Sequence, residues 1–362
     1  MKRIKNMYAQ ICAFDNLYTA YVHARKSKRY RREVLKFSAN LEDNLIIIQE
    51  ILTQKIYRVG SYREFFIYEP KKRLIMALPF IDRVVQWAVY QLLNPIFIKG
   101  YITDSYACIE GRGTHMAVKR LQYWLRQVDR KPGKYYYLKL DISKYFYRID
   151  HQVLMDILRK KIKDPDLLWL LDIIVNSDTH NFGLLLGENP GEETVRLKDK
   201  GMPIGNLTSQ MFANLYLNEL DQYIKRHLSI PYYVRYMDDV IILDNDKKRL
   251  HQLKDTIDRF LQTRLKLDLN NKTAIRPVSL GIEFCGFRIW STHIKLRKKT
   301  ALKMKRNIKR LQRKYSQGEL NFKQVNNSMQ SYFGVMKHFN SQRFRNKILE
   351  GFALRRDELP EA

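Results

Sequence analysis

The sequence has little of what marks a secreted or membrane-spanning protein. Its 362 residues include three cysteines, Cys12, Cys108 and Cys285, which are odd in number and widely spaced. This spacing argues against a disulfide framework and against zinc ligation, and it favours a reducing compartment. No apolar run approaches the ~18 residues of a membrane span, and residues 8–14 are too short and too polar for a signal peptide. We therefore expect a soluble protein of the cytoplasm.

Acidic residues are also scarce. There are 37 Asp and Glu against 66 Lys and Arg, so the formal net charge is +29. Because such a surplus repels itself in a compact fold, it predicts a polyanionic partner. Many of the 23 Tyr and 17 Phe residues stand beside cations, as in Lys144-Tyr145-Phe146-Tyr147, a pattern that suits phosphates and stacked bases. Membrane surfaces attract cations too, so the charge alone leaves that alternative open.

Hydrophobic periodicity predicts helices near both ends of the chain and strands between them. The predicted helices span residues 16–57, 82–97, 205–226 and 295–314, and the predicted strands span 65–68, 74–78, 135–141 and both arms of 232–243. The last helix is strongly basic, with 11 Lys and Arg in 20 residues. This order of elements indicates an α+β fold.

Three aspartates occupy the ends of apolar strands. Asp238 and Asp239 join two apolar runs, and Asp141 follows the run 136–140. Adjacent buried charges are costly unless a cation compensates them, and carboxylate oxygens are ligands that Mg²⁺ takes. A polar hairpin turn is the alternative, since Asp is common in turns. From the residues alone, both interpretations of Asp238 and Asp239 stay open.

Seven segments, taken in chain order, resemble the motifs of reverse transcriptases. They are residues 73–86, 105–115, 141–147, 201–210, 236–239, 267–273 and 281–287. The fourth reads Gly-Met-Pro-Ile-Gly-Asn-Leu-Thr-Ser-Gln, and the fifth reads Tyr-Met-Asp-Asp. The resemblance covers roughly residues 60–295, and it implies an RNA-directed DNA polymerase.

The resemblance implies a right-hand polymerase fold with fingers, a ferredoxin-like palm and a helical thumb. The expected divisions are an N-terminal helical extension (1–58), fingers (59–135, with part of 150–200), palm (136–292) and helical thumb with C-terminal tail (293–362).

The resemblance also implies the metal site and the reaction. Asp141, Ile142, Asp238 and Asp239 are expected to hold two Mg²⁺ ions, for which Mn²⁺ can substitute. In such a site one ion activates the attacking hydroxyl and the other stabilises the leaving oxygen. Lys272 lies where the family has a general acid for the pyrophosphate leaving group; a surface lysine is the alternative.

Six residues are expected around the incoming deoxynucleotide. Phe146 corresponds to the aromatic gate that leaves no room for a ribose 2′-hydroxyl; a core phenylalanine is the alternative. Arg73 and its neighbours offer cations to the triphosphate, although for Lys71 we prefer a solvated loop. The set is Lys72, Arg73, Phe146, Ile204, Gly205 and Gln210.

The primer–template duplex is expected to contact the segment 281–287, which resembles the primer grip of the family, and the basic helix of the thumb. A basic helix without compensating acids can bind phosphates without reading sequence. The expected contact residues are Arg112, Phe284, Gly286, Lys298, Lys305, Arg306 and Lys309.

The motif at 201–210 departs from the usual reverse transcriptase pattern. Ile204 replaces a glutamine and Gln210 replaces a proline, which resembles the enzymes of diversity-generating retroelements. Those enzymes copy a template-repeat RNA with errors at adenines and work with a small basic accessory variability protein. The resemblance therefore implies a bacterial, archaeal or phage-encoded enzyme whose partners are an RNA template, a DNA or RNA primer and dNTPs. A group II intron-like or retron-like enzyme and a non-catalytic RNA-binding scaffold are the alternatives.

Overall fold

A computed structural model of the chain describes residues 3–68, 72–177, 179, 181–191 and 194–356. Within these residues α-helices flank three antiparallel sheets, which confirms the predicted α+β class. None of the described helices is both long enough and apolar enough to cross a bilayer.

Four helices precede the first strand: α1 (Tyr8–Cys12), α2 (Phe14–Ala24), α3 (Arg32–Ala39) and α4 (Leu41–Thr53). The predicted helical stretch 16–57 is therefore confirmed in type, but it is interrupted between α2 and α3 and again at Asn40, and it ends at Thr53. The first interruption coincides with the basic run 25–32, where neighbouring like charges oppose a helix. Leu45, Ile48 and Leu52 of α4 are fully buried, as their spacing predicts.

A two-stranded sheet and two helices follow: β1 (Arg63–Ile67), β2 (Arg73–Ala77), α5 (Phe80–Ile98) and α6 (Thr114–Asp129). Both predicted strands and the predicted helix 82–97 are confirmed. The turn residues Glu69, Pro70 and Lys71 lie outside the described residues, so the interpretation of Lys71 as a solvated loop stays a prediction.

The central sheet has the order β4-β5-β3-β6 and is antiparallel throughout. Its strands and the helices between them are β3 (Tyr136–Asp141), α7 (Tyr145–Arg148), α8 (His151–Lys161), α9 (Pro165–Val175), α10 (Leu207–Gln222), β4 (Tyr233–Tyr236), β5 (Asp239–Asp244), α11 (Lys247–Leu265) and β6 (Ala274–Pro277).

The two faces of the central sheet bury side chains in different cores. Leu138 and Ile242 belong to the larger core, which also contains side chains of α10 and α11, whereas Tyr137 and Ile241 belong to a second core with α6. Because alternate residues of a strand point to opposite faces, the central sheet lies between the two cores and contributes side chains to both.

The predicted helix 205–226 is confirmed with shifted ends. It starts at Leu207 and passes into a π-helical turn, Tyr223–His227. Gly205 lies outside the helix because its φ of 126° is not helical.

The last part of the chain contains a small sheet and three helices: β7 (Ile282–Phe284), β8 (Phe287–Ile289), β9 (Ile294–Leu296), α12 (Lys298–Ser316), α13 (Phe322–Met336) and α14 (Gln342–Leu349). The predicted start of the basic helix at Lys295 is wrong, since Ile294 and Leu296 are buried strand residues and the helix begins at Lys298.

Gly281 offers a test of the packing between β7 and its surroundings. Its φ is 73°, and an added Cβ would lie 2.3 Å from Cε2 of Trp290, whose ring nitrogen donates to the carbonyl of Ser279. We expect Gly281→Ala to lower the free energy of unfolding by about 2–4 kcal/mol, because strain and overlap add. Urea unfolding measures the change.

Gly334→Ala is the matched control, since this helical glycine has open space around a Cβ. It should raise the stability by about 0.5–1 kcal/mol. Equal unfolding midpoints for the two variants would refute the close contact at Gly281.

Candidate active site

Three carboxylates meet at one end of the central sheet. Asp141 ends β3 and Asp239 begins β5, and the two are direct partners in the antiparallel register. Paired residues point to the same face, so these two side chains lie side by side. Asp238 precedes Asp239 in the turn, and all three aspartates are partly exposed.

A tight turn carries Asp238. Met237 and Asp238 are the two residues between the paired Tyr236 and Asp239, and Met237 has a φ of 54°. A left-handed residue is the usual requirement of a two-residue hairpin, although methionine seldom adopts it. Nη1 of Arg235 donates to the Met237 carbonyl at 2.9 Å, which holds the turn in this conformation.

A fully buried ion pair stands behind the turn. Nε of Arg235 donates to Oδ1 of Asp221 at 2.7 Å, and Nη2 donates to Oδ2 of the same carboxylate at 2.5 Å. Both side chains have zero exposure, and the hydroxyl of Tyr233 also donates to Asp221. The pair links α10 to β4 and, through Met237, to the carboxylates.

Lys139 is the cation paired with Asp239 among the described residues. Its Nζ lies 2.9 Å from an Asp239 oxygen and donates to the backbone carbonyl of Glu283 at 2.8 Å. The pKa of Asp239 is raised to about 6. Burial is the largest cause, and the charges of Asp238 and Asp141 also raise the pKa, whereas the Lys139 ammonium lowers it. Negative charge is therefore crowded at this end of the sheet.

The carboxylates are suited to a divalent ion that takes its remaining ligands from a bound substrate and from water. Within the described ranges, no group of three or more His, Cys, Asp or Glu side chains is arranged to hold a metal ion. Mg²⁺ in nucleotide-handling sites usually takes one or two carboxylates, and phosphates and water supply its other ligands. Asp141 and Asp238 suit that role. The bridge between Ile142 and Leu269 uses the Ser143 nitrogen and the Asp141 carbonyl, so the backbone carbonyl of Ile142 is not used in it.

Backbone hydrogen bonds bring the predicted nucleotide-binding segments together. The Met202 nitrogen donates to the Phe146 carbonyl at 2.7 Å, and the Met76 nitrogen donates to the Ile204 carbonyl at 3.1 Å. The half-buried Phe146 ring meets the buried ring of Tyr145 edge-on at 5.6 Å. Phe146 thus borders the core and is also partly exposed. This position is compatible both with an aromatic gate and with a core phenylalanine.

Gly205 permits a close approach between two segments. A Cβ on this residue would lie 3.0 Å from the Met76 carbonyl oxygen. Gly205 and the exposed Gln210 border a cavity of about 580 Å³ whose wall includes the cations Lys28, Arg31, Arg63 and Arg83. The wall also includes Glu33, which is paired with Arg83. This arrangement suits a phosphate-bearing ligand.

The cations predicted to bind the triphosphate lie at the N-terminal end of β2. Arg73 begins the strand and is exposed, as is Lys72, whose Nζ lies 4.5 Å from the centre of the Phe66 ring. Lys272 is exposed beside a small cavity that Lys139 also borders. The surface position of Lys272 is compatible with both interpretations of this residue.

The hairpin of β7 and β8 lies next to the carboxylates through the Lys139 contact. Its turn consists of Cys285 and Gly286, with φ of 49° and 84°. Phe284 is 1% exposed as a whole residue, so it packs inside the protein and supports the hairpin from within. Arg112 donates to the Ile102 carbonyl at 2.9 Å and in this position supports its own loop.

The basic helix α12 has a buried apolar side and an exposed basic side. Lys298, Arg306 and Lys309 are exposed, whereas Met304 and Ile308 are buried. Lys305 is half-buried with its Nζ 5.4 Å from the centre of the Phe344 ring. Three of the four predicted thumb contacts therefore face solvent, and Lys305 also packs within the protein.

Sequence reasoning missed Arg235, Asp221 and Lys139. A charged residue inside an apolar strand is the available signal for Arg235, because a buried charge needs a partner. The partner, 14 residues earlier on α10, has no such signal. Lys139 stands between the apolar residues Leu138 and Leu140. This alternation predicts that its side chain points to the opposite face of the strand from theirs, but it does not predict which residues it contacts.

The α+β fold is that of a nucleic acid polymerase, and comparison with known proteins gives the family. Residues 69–289, more than half of the chain, match the reverse transcriptase (RNA-dependent DNA polymerase) family. The chain belongs to this family, and its α+β structure is the right-hand polymerase fold. Members of the family use divalent metal ions such as Mg²⁺.

Two relatives are similar over most of this chain. Protein YkfC of Escherichia coli (strain K12) is 27% identical over 286 residues, which cover 69% of this chain and 72% of that protein. Group II intron-encoded protein LtrA of Lactococcus lactis subsp. cremoris is 23% identical over 352 residues, covering 78% of this chain and 56% of that protein. The match thus spans little more than half of LtrA. Apo telomerase from Candida tropicalis has a TM-score of 0.48 at 12% identity, covering 81% of this chain and 61% of that one.

The buried ion pair behind the turn can be tested by mutation. Arg235→Met should lower the free energy of unfolding by about 3–5 kcal/mol, because Asp221 is left buried without its partner. The double variant Arg235→Met/Asp221→Asn should regain a large part of that loss. Urea unfolding of the full chain measures both changes.

Arg159→Met is the matched control, because Arg159 forms an exposed ion pair with Asp156 at 3.0 Å. Such a pair contributes about 1 kcal/mol or less. A loss in Arg235→Met no greater than in Arg159→Met would contradict the structural role of the buried pair.

Proposed function

We propose that this protein is an active RNA-directed DNA polymerase. The observation that carries the proposal is the meeting of Asp141, Asp238 and Asp239 at one end of the central sheet, in a chain of the reverse transcriptase family. In the proposed reaction a primer 3′-hydroxyl attacks the α-phosphate of a dNTP. A new phosphodiester bond forms, the bond to the β-phosphate breaks, and pyrophosphate leaves.

The carboxylates would hold the divalent ions of this reaction. Two bound Mg²⁺ ions supply activation of the hydroxyl and stabilisation of the leaving oxygen. Asp141 and Asp238 would be the main side-chain ligands, with the Ile142 carbonyl as a backbone ligand. Lys272 is the proposed proton donor to pyrophosphate, and this proposal is supported by its exposure and by the small cavity that it lines together with Lys139.

The incoming nucleotide would lie between β2 and the segment 201–210. Lys72 and Arg73 are proposed to bind its triphosphate, and Phe146 is proposed to exclude the 2′-hydroxyl. The hydrogen bonds that join these segments support a single pocket, because they fix Phe146 and Ile204 relative to β2.

The duplex product would lie along the β7–β8 hairpin and α12. Gly286 is proposed to contact the primer, with the buried Phe284 supporting the hairpin, and the exposed cations of α12 are proposed to contact phosphates. We propose residues 1–58 as an N-terminal extension, 59–135 with part of 150–200 as fingers, 136–292 as palm and 293–362 as thumb. The proposed compartment is the cytoplasm, which agrees with three free cysteines.

The proposed subfamily is that of diversity-generating retroelements, on the strength of Ile204 and Gln210. Under this proposal the enzyme copies a template-repeat RNA with errors at adenines and has a small basic accessory protein as partner. A group II intron-like enzyme is the second candidate, and the similarity to LtrA supports it.

Primer extension tests the proposed activity. On poly(rA)/oligo(dT) with Mg²⁺, Asp238→Ala should lose activity by about a thousandfold or more, because a metal ligand in the reaction centre is removed. Asp255→Ala removes an exposed aspartate of α11 and should keep wild-type activity. An inactive wild type that still binds the duplex would support the alternative of an RNA-binding scaffold and contradict the proposal.

The error spectrum tests the subfamily. Ile204→Gln should restore a hydrogen-bonding group to the nucleotide pocket and lower the misincorporation rate at template adenines several-fold. Sequencing of cDNA from a defined RNA template gives the rate at each base, and the other three bases serve as the internal reference. An adenine error rate that is unchanged, or a wild type without adenine bias, would contradict the assignment.

A further inference from the structure

Lys139 occupies a position between the carboxylates and the β7–β8 hairpin. It lies two residues before Asp141 on β3, so both side chains point to the same face of the sheet. Asp239 is the register partner of Asp141 on the neighbouring strand, and the Lys139 ammonium reaches it diagonally. Lys139 and Asp239 are 27% and 29% exposed, so water screens this contact only in part.

The two hydrogen bonds of Lys139 point in different directions. One goes to the Asp239 carboxylate at 2.9 Å and the other to the Glu283 carbonyl in β7 at 2.8 Å. A lysine ammonium has three donors, and two of them are therefore used by the protein itself. The hairpin is in turn joined to the start of α12, because the Arg297 nitrogen donates to the Gly286 carbonyl at 3.0 Å.

We propose that Lys139 is a positioning residue that holds Asp239 away from the metal ions and ties it to β7. Asp141 and Asp238 are then the two carboxylates that bind metal, and Asp239 serves as an anchor. This inference rests on the proposed function, since it divides the roles within the proposed metal site. It also gives the β7–β8 hairpin a fixed position relative to the reacting atoms.

The charges support this division of roles. Asp239 with Lys139 forms a pair of zero net charge, so its carboxylate attracts a further cation less strongly than a carboxylate without an adjacent ammonium. A metal ion that bound Asp239 would displace an ammonium at contact distance and lie beside its positive charge. Arg276, on the neighbouring strand β6, borders the same small cavity as Lys139, but among the described residues it is Lys139 that pairs with Asp239.

Mn²⁺ binding to the full chain, followed by electron paramagnetic resonance, tests the proposal without relying on activity. Lys139→Met removes the competing cation and should tighten Mn²⁺ binding by about tenfold. Lys139→Arg keeps the charge and should stay within about twofold of wild type. Arg276→Met removes an equal charge from the neighbouring strand without touching Asp239, and it should have an effect of about twofold or less.

The double variant Lys139→Met/Asp239→Asn gives the decisive comparison. It removes a neutral pair, so Mn²⁺ affinity should stay within about threefold of wild type if Asp239 is not a ligand. Asp141→Asn should instead weaken Mn²⁺ binding by about tenfold or more. A double variant that loses as much affinity as Asp141→Asn would overturn the proposal, as would a Lys139→Met variant that behaves like Arg276→Met.

Hydrogen exchange tests the tie to β7. Amides of β7 and β8 should exchange several-fold faster in Lys139→Met than in wild type or Arg276→Met, because the bond to Glu283 is lost. Unchanged exchange would contradict the tie. If the wild type itself binds no Mn²⁺, the proposed metal site fails; if it binds Mn²⁺ and the Lys139 variants do not differ from it, only the role of Lys139 fails.

Discussion

The buried ion pair between Arg235 and Asp221 is the interaction on which the carboxylate site depends. Neither side chain reaches water, so each needs the other to offset the loss of hydration. Because Arg235 also donates to the Met237 carbonyl, the pair fixes the turn that holds Asp238 and begins β5. The position of α10, which carries Asp221, therefore determines where the turn and its carboxylates lie. The geometry of the site is set from within the core rather than by its surface.

Basic residues outnumber acidic residues over the sequence as a whole. The chain carries a net charge of +29, and exposed cations line α12 and the cavity beside Gln210. The three aspartates form a local negative centre within this basic surface. A polyanion is attracted to the surface, whereas a divalent cation is attracted to the centre, and a polymerase needs both. Lys139 lies next to the three aspartates, where it donates hydrogen bonds to the Asp239 carboxylate and to the Glu283 carbonyl of the hairpin.

The sequence predicts the elements of the site better than the contacts between them. The strand ending at Asp141 and the hairpin around Asp238 follow from apolar runs and are found as expected. The start of α12 was misplaced because basic residues conceal a short strand in which only Ile294 and Leu296 are buried. The pairing of Arg235 with Asp221 joins a strand to a helix, and no local pattern encodes it. Contacts of this kind depend on tertiary packing, which periodicity does not describe.

A crystal structure of the full chain with a primer–template duplex, an unreactive dNTP analogue and Mn²⁺ tests the central claim most directly. Anomalous scattering locates the ions without reference to the protein. The account predicts ions bound by Asp141 and Asp238 next to the triphosphate, with Asp239 still paired with Lys139. Ions bound elsewhere, or a nucleotide bound away from this end of the central sheet, would contradict it.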